Sequence, residues 1–321
     1  MSENISLMAD IGGTNTRVAL GYGSSVDQSS IQRFRNSEHS GLEQVLHSYL
    51  SVRPDVTPDA AAAAIAGPVH NGKGTLTNLD WTVDRDLLTR VTGAKTVSVI
   101  NDLQAQGHAL EYLTEDKTRL IKAGGDAKPN ASLLVVGVGT GFNAAAVFRT
   151  ASETLVPPAE AGHADLPTPT EELRSFAKYF NEKHGFCSVE DILSGRGLGH
   201  LYRWHSGVEL PAAEIMKAHV DGSDANATAT VMSFGAALGT VVGNLALTIL
   251  PFGGIYLVGG VSQAIAPFLN DNGFTSSFCD KGRFSEFMDQ FPVRVVEDDY
   301  AALTGMAALL DEVRNGPPRR T

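Results

Sequence analysis

Cysteine is nearly absent from the 321 residues: only Cys187 and Cys279 occur, with no paired spacing and no histidine cluster beside them. A disulfide framework and a structural zinc site are unsupported, and a reducing, cytoplasmic compartment is expected. Positive charge is scarce as well, 25 lysines and arginines against 36 aspartates and glutamates, for a formal net charge of −11. A nucleic-acid partner needs a basic face against its phosphates, so that class is excluded. The first nine residues lack a basic start followed by an apolar core, so no signal peptide is expected. Charge of either sign is missing from residues 225–270, and residues 231–250 are long enough to cross a bilayer. That run carries Ser233, Gly235, Gly239, Thr240, Gly243 and Asn244, has no flanking lysine or arginine, and is followed by a strand-like stretch at 255–258. A tightly packed core helix explains it better than a membrane span.

What is present describes an ordinary globular chain, with 43% hydrophobic and 19% charged residues and a length that favours two lobes. The pattern predicts strands at 5–11 and 17–21 around Gly12-Gly13, then a helix at 42–52 with Leu42, Val45, Leu46 and Leu50 on one face. Strands follow at 60–66 and 96–100, the second ending at Asn101-Asp102, with a helix over 103–113. Residues 133–136 and 144–148 are strands around a glycine turn at 137–141, which repeats the first hairpin's plan and predicts two similarly built lobes. A helix over 233–250, a strand at 255–258, Gly259-Gly260, a further helix and a last helix over 301–315 complete the chain before a solvated Pro-Pro-Arg-Arg tail.

The strongest local signal is Asp10-Ile11-Gly12-Gly13-Thr14-Asn15. Glycines let backbone N–H groups approach a phosphate, Thr14 and Asn15 add side-chain contacts, and Asp10 suits Mg²⁺ held through water. The plain alternative is a glycine hairpin with an incidental acid. Gly137-Val138-Gly139-Thr140-Gly141 is the matching turn; alone it means little, and paired with the first it becomes a clamp on a polyphosphate. Gly259 and Gly260 follow a strand, where missing side chains leave room for an adenine ring or ribose. Gly67-Pro68-Val69-His70-Asn71-Gly72-Lys73 imitates a Walker A loop, but Gly74 stands where Ser or Thr should bind Mg²⁺. Asn71-Gly72 favours a hairpin instead.

Asn101 and Asp102 sit at a strand's C-terminal end, where α/β folds place ligand-facing groups. Asp102 suits a base accepting a hydroxyl proton and Asn101 a neighbouring hydroxyl; equally, Asp102 suits a helix cap. Glu160-Ala161-Gly162-His163 sets a carboxylate and an imidazole three residues apart, fit for a polyol or for a structural hydrogen bond, and no third ligand argues for metal. Ser188-Val189-Glu190-Asp191 matches a capping box before Ile192-Leu193, which makes Asp191 structural and leaves Glu190 available to a cleft.

Together these pieces resemble the bacterial glucokinases of the hexokinase, Hsp70 and actin superfamily. The resemblance runs through residues 10–15, Leu76-Thr77-Asn78 with Trp81, Val99-Ile100-Asn101-Asp102, Gly139-Thr140-Gly141 and residues 160–165. It continues in Leu193-Ser194-Gly195, Gly243-Asn244-Leu245-Ala246, Phe252-Gly253-Gly254, Gly259-Gly260 and residues 278–284. It implies an α/β, two-lobed actin-like (ribonuclease H-like) fold with a ligand cleft between the lobes. The domains expected are a small one over 1–112, rejoined by a helix at about 301–321, and a large one over 113–300. It implies Asp102 as the base acting on the glucose 6-hydroxyl, and Asn101, Glu160, His163 and Glu190 as grips on the other hydroxyls, with Asn78 close by. Asp10, Gly12, Gly13, Thr14, Asn15, Gly139, Thr140 and Gly141 become the ATP-phosphate and Mg²⁺ site, with Gly259 and Gly260 also on ATP. A homodimer is typical of the family. The sequence departs from the family pattern at Ala161, where Gly is usual, and at Phe142-Asn143, where Leu-Gly is usual; both bear on sugar preference. A kinase for another hexose or amino sugar, and a non-catalytic sugar sensor, are the alternatives. Retention of Asp102 with the whole phosphate set speaks against the sensor.

Overall fold

The computed structural model describes residues 4–76, 79–150 and 153–315. Asn78 and the Pro-Pro-Arg-Arg tail lie outside the described residues. The chain divides into two compact units, the first formed by Met1–Thr114, Val147–Pro158 and Asp298–Thr321, the second by Glu115–Ala146 and Ala159–Glu297.

In the first unit the sheet order is Ser25–Val26, Asn15–Tyr22, Ile5–Ile11, Ala60–Ile65, Thr96–Asn101, with Gln32–Arg35 also paired to the second of these. Ile5–Ile11 runs antiparallel to Asn15–Tyr22 and parallel to Ala60–Ile65, which is itself parallel to Thr96–Asn101. The second strand begins at Asn15, two residues before the expected start, so the first glycine turn is only Gly12, Gly13 and Thr14. Five consecutive alanines make a poor strand by propensity. They are tolerated because both faces are covered: Ala61, Ala63 and Ile65 pack with Leu7, Val45 and Tyr49, while Ala60, Ala62 and Ala64 pack with Met8, Leu303 and Met306. The small side chains admit the C-terminal helix, Ala301–Asn315, close to the sheet. Its Gly305 lies against the helix Asp102–Ala109 so closely that a methyl group there would meet Ala109 N at 2.8 Å.

Two helix expectations also shift in this unit. The helix Leu42–Ser51 buries Leu42, Val45, Leu46 and Tyr49, not Leu50. The i, i+3, i+4, i+7 face falls on Tyr49, whose hydroxyl donates to Ser30 O at 2.9 Å. The helix expected over 103–113 spans Asp102–Ala109 and tightens into a 3₁₀ turn at Leu110–Tyr112. The Walker-like stretch is a hairpin of Val69–His70 and Lys73–Thr75, turned by Asn71 and Gly72 at φ 52° and 71°.

The second unit's sheet runs Thr118–Lys122, Val293–Val296, Gly254–Val258, Leu133–Val138, Phe142–Arg149. Leu133–Val138 takes up Gly137 and Val138, so the glycine turn shrinks from the expected five residues to Gly139, Thr140 and Gly141. The uncharged stretch forms a 25-residue helix, Ala225–Ile249, which starts earlier than expected because Asp224 caps it, accepting from Asn226 N at 2.7 Å. Among the described residues this is the one helix long and apolar enough to cross a membrane. Its composition has a packing cause. Gly235, Gly239 and Gly243, four residues apart on one face, lie against the backbones of Asn272, Phe274 and Phe278, where any methyl group would collide. A residue with a side chain would push the helix Phe274–Cys279 away and open the core around Phe274 and Phe278, both fully buried.

The Ser188 box closes without a helix behind it. Ser188 N and Oγ donate to Asp191 Oδ2 at 2.8 and 2.6 Å, and Asp191 N donates back to Ser188 Oγ at 3.3 Å. The helix starts only at Gly195 and is capped by Ser194, whose Oγ accepts from Gly197 N at 3.0 Å. The box thus braces a turn, Asp191 is structural as expected, and Glu190 is left at its crest.

Candidate functional site

The first unit carries the Asp10 turn. Strand register sets Asp10 opposite Arg17, and Arg17 Nη1 donates to Asp10 Oδ2 at 3.1 Å. Burial pushes the Asp10 carboxyl above the usual carboxylate range, and the Arg17 charge opposes that shift. The turn is closed by Gly12 N donating to Asn15 O at 3.0 Å. Asn36 braces it from below: its Nδ2 donates to Gly12 O at 2.7 Å, its N to Thr14 O at 2.9 Å, and its Oδ1 accepts from Thr16 Oγ1 at 2.8 Å. This scaffold leaves Thr14 and Asn15 facing a cleft of about 560 Å³ shared with Arg33, Arg35 and Ser37. A polyphosphate there would meet two guanidinium groups in a chain that is otherwise acidic.

Sequence reasoning missed Asn36, Arg33 and Arg35. The arginines had a signal in their alternation around buried Phe34, which puts both on the open face of the strand Gln32–Arg35. Asn36 had none, because only the fold shows that it is 2% exposed and spent on the turn.

Asn101 and Asp102 stand where the strand Thr96–Asn101 meets its helix. Asn101 is the cap: its Oδ1 accepts from Leu103 N at 2.9 Å, while Gln104 Oε1 accepts from Asn101 N at 3.1 Å. Its Nδ2 donates to Gly67 O at 3.0 Å, so this amide has structural duties on both ends. Asp102 Oδ1 also accepts from Leu103 N, at 2.8 Å. The helix has its cap in Asn101, so Asp102 is not required for that purpose.

The second unit brings together Glu160, His163, Glu190 and the second glycine turn. Glu190 N donates to Gly162 O at 2.9 Å, which sets the 160–163 loop against the Glu190 turn. Glu190 Oε2 accepts from Phe142 N at 2.9 Å, and Oε1 accepts from Arg196 Nη2 at 2.7 Å. Glu160 and His163 are exposed, with Oε2 and Nε2 3.9 Å apart, open to a ligand's hydroxyls. Ala161 and Asn143, the two departures from the family pattern, are bonded to one another: Asn143 Oδ1 accepts from Ala161 N at 2.9 Å and Asn143 Nδ2 donates to Ala159 O at 2.6 Å. The Asn143 side chain therefore clamps the loop on both sides of Glu160.

The turn itself is closed by Gly139 N donating to Gly141 O at 2.9 Å, and Gly195 N donates to Gly139 O at 2.8 Å. Gly259, at φ 100°, packs under it, and a methyl group there would strike Val138 O at 2.6 Å. Above Gly139 and Gly260 there is open space. The three glycine segments thus form a bare backbone shelf able to admit a phosphate or a flat ring. Among the described residues no group of three or more His, Cys, Asp or Glu could hold a metal by itself. Asp10 fits Mg²⁺ that arrives on a nucleotide, since Mg²⁺ binds through one or two carboxylates plus substrate phosphates.

The sequence matches the family model described as Glucokinase over residues 7–313. It is 34% identical over 313 residues to a glucokinase of Hahella chejuensis, covering 95% of this chain and 96% of that protein. A glucokinase of Sinorhizobium fredii is also 34% identical, over 94% and 91% of the two chains. The crystal structure of a glucokinase from an Antarctic psychrotroph superposes with a TM-score of 0.85 at 32% identity, over 96% of this chain and 98% of that one. The architecture is the two-lobed actin-like α/β fold of these kinases. The chain belongs to the glucokinase family.

Proposed function

We propose that the protein transfers the γ-phosphoryl group of ATP to the 6-hydroxyl of D-glucose, giving glucose 6-phosphate and ADP. The observation that carries this reading is the loop cluster of the second unit, where Glu190 is bonded both to the backbone directly after the glycine turn and to the loop bearing Glu160 and His163. A polyol-binding set and a phosphate-binding turn held in one rigid piece suit a sugar kinase.

Phosphoryl transfer asks little covalent work of a protein, so alignment and charge stabilisation carry it. Gly12, Gly13, Thr14 and Asn15, and in the other unit Gly139, Thr140 and Gly141, offer backbone and hydroxyl donors to the phosphates. Arg33 and Arg35 add positive charge beside Thr14 and Asn15. Gly259 and Gly260 leave room for the nucleoside. Bound Mg²⁺ neutralises phosphate charge, and Asp10 is the residue that would hold it. Asp102 orients the 6-hydroxyl and takes its proton late in transfer. Asn101, Glu160, His163 and Glu190 hold the remaining hydroxyls, with Asn78 assigned to the same task. A wrong epimer leaves some of these polar groups without a partner once the sugar covers them, which is the source of selectivity.

Work in the cytoplasm and a homodimeric state belong to the same proposal. Cys187 and Cys279 are both free, as a reducing compartment allows. The test is ADP release from Mg-ATP with glucose, mannose, fructose and N-acetylglucosamine in parallel. Turnover with glucose above the others is expected. Turnover with another sugar alone would move specificity onto the Asn143–Ala161 clamp, and no turnover by folded protein would sink the reading.

A further inference from the structure

A second cavity lies in the second unit, outside the set of residues assigned to the reaction. It has a volume of about 630 Å³, within the range of small-molecule sites. It opens between the helices Glu171–His184 and Gly195–Ser206 and the segment at Leu210 and Pro211. Its floor is Phe180, 5% exposed, flanked by the imidazoles of His184 and His200 with ring centroids 4.3 and 5.0 Å away. Its rim carries Lys183, Arg196 and Arg203. The one carboxylate among the lining residues, Glu209, is paired with Arg203. With Arg196 paired to Glu190, three cations stand against two carboxylates, which leaves an excess of one positive charge around the aromatic floor in a protein of net charge −11. That is the chemistry of a phosphorylated small molecule: guanidinium and ammonium groups for the phosphate, and a flat apolar surface for the carbon skeleton.

The cavity is one residue removed from the sugar-binding set. Arg196 lines it and also donates to Glu190 Oε1 at 2.7 Å. Arg196 is 69% exposed at its side chain and Glu190 only 18%, so the arginine is the partner able to swing. We propose that this pocket is a regulatory site for a phosphorylated small molecule, and that occupancy draws Arg196 off Glu190 and weakens glucose binding. The coupling rests on the glucose role proposed for Glu190; the pocket does not. The phosphate is the shared chemistry, and both sugar phosphates and nucleotides carry it.

The test is calorimetric titration of the full chain with inorganic phosphate, glucose 6-phosphate and AMP, each against Lys183→Ala/Arg203→Ala. Both residues are exposed, and without added phosphate compound the double variant should keep the wild-type kcat and KM. The wild type is expected to bind one more equivalent than the double variant of at least one probe. Preference for glucose 6-phosphate or for AMP tells which skeleton sits on Phe180. In assays, that probe should raise the glucose KM of the wild type several-fold beyond any effect on the double variant, with kcat unchanged. Equal stoichiometry and affinity in the two proteins would overturn the pocket. A lost equivalent with a glucose KM that responds alike in both would overturn the coupling through Arg196. The titrations read binding without turnover, so absence of sugar turnover by the wild type would count against the kinase reading and leave the pocket's test intact.

Discussion

Phe142 donates its backbone N–H to Glu190 Oε2 at 2.9 Å, so the residue that follows the second glycine turn orients a carboxylate 48 positions away in sequence. The same oxygen lies where a Gly141 side chain would have to be. The glycine turn and the Glu190 carboxylate are thereby one mechanical unit, and on the proposed function the glycines of that turn have separable duties.

Gly141→Ala should displace Glu190 and raise the glucose KM by about 10- to 100-fold, the worth of a charge-assisted hydrogen bond of about 1.5–3 kcal/mol. Gly139 faces open space, so Gly139→Ala should melt at the wild-type temperature. The methyl group would stand where a phosphate approaches, and the ATP KM should rise while the glucose KM stays. Steady-state kinetics with each substrate varied, beside thermal melts, separates the two. Identical behaviour of the variants would contradict this division.

Asp102→Asn should lower kcat by about 10²- to 10⁴-fold, the usual contribution of general base catalysis. Asn101 supplies the cap of this helix, and asparagine at 102 keeps an acceptor for Leu103 N. The melting temperature and glucose affinity should therefore change little. A large drop in stability with kcat retained would return Asp102 to a structural role.

His108 lies in the same helix, 8% exposed, and burial pushes its pKa from the ordinary 6.5 down to about 4. The folded chain keeps this imidazole neutral where the unfolded chain protonates it. Its contribution is fully present above pH 6.5, shrinks as pH falls, and is lost by about pH 4. The loss amounts to about 3 kcal/mol. Chemical denaturation at several pH values should show this decline, and His108→Gln should flatten it within that window. An unchanged slope in the variant would mean that other groups set the acid limit.

Gly305→Ala should destabilise the first unit by about 1–3 kcal/mol, the cost of overpacking. The added methyl group meets the backbone of Ala105 and Ala109 and has no flexible neighbour to displace. Because that backbone belongs to the helix beginning at Asp102, kcat should fall as well, although residue 305 is remote from 102 in sequence. Denaturation midpoints and kcat measured together check the link.

Much of the secondary structure was readable along the chain. The strand Ile5–Ile11 and the helix Ala301–Asn315 have their expected bounds, because a short apolar run closed by glycines and a helix stopped ahead of Pro-Pro are local signals. The errors sit at glycines and caps. Gly137 looks like a turn residue but lies in a strand, where the parallel partner Gly254–Val258 supplies the hydrogen bonds that hold it extended. The Ser188–Asp191 box has the letters of a helix start, yet the backbone within it is held by a distant loop, Glu190 N donating to Gly162 O and Val189 N to Ala164 O. Such outcomes depend on distant partners, and one strand of letters does not contain them.

The sequence alone determined the class of chemistry: glycine turns after strands, a lone Asp at a strand's end, and a Glu and His set, in the order the glucokinase family shows. Those features are legible because backbone conformation and functional-group identity are properties of single residues and near neighbours. The tertiary structure decided the rest. It placed Asn36 beneath the first turn, tied Glu190 to Phe142 and Arg196, and joined Asn143 to Ala161. It also turned an uncharged, membrane-like stretch into a core helix by laying Gly235, Gly239 and Gly243 against another backbone. Hydrogen bonds and close packing are short-ranged in space and indifferent to separation along the chain, so only the folded molecule shows which residues share them.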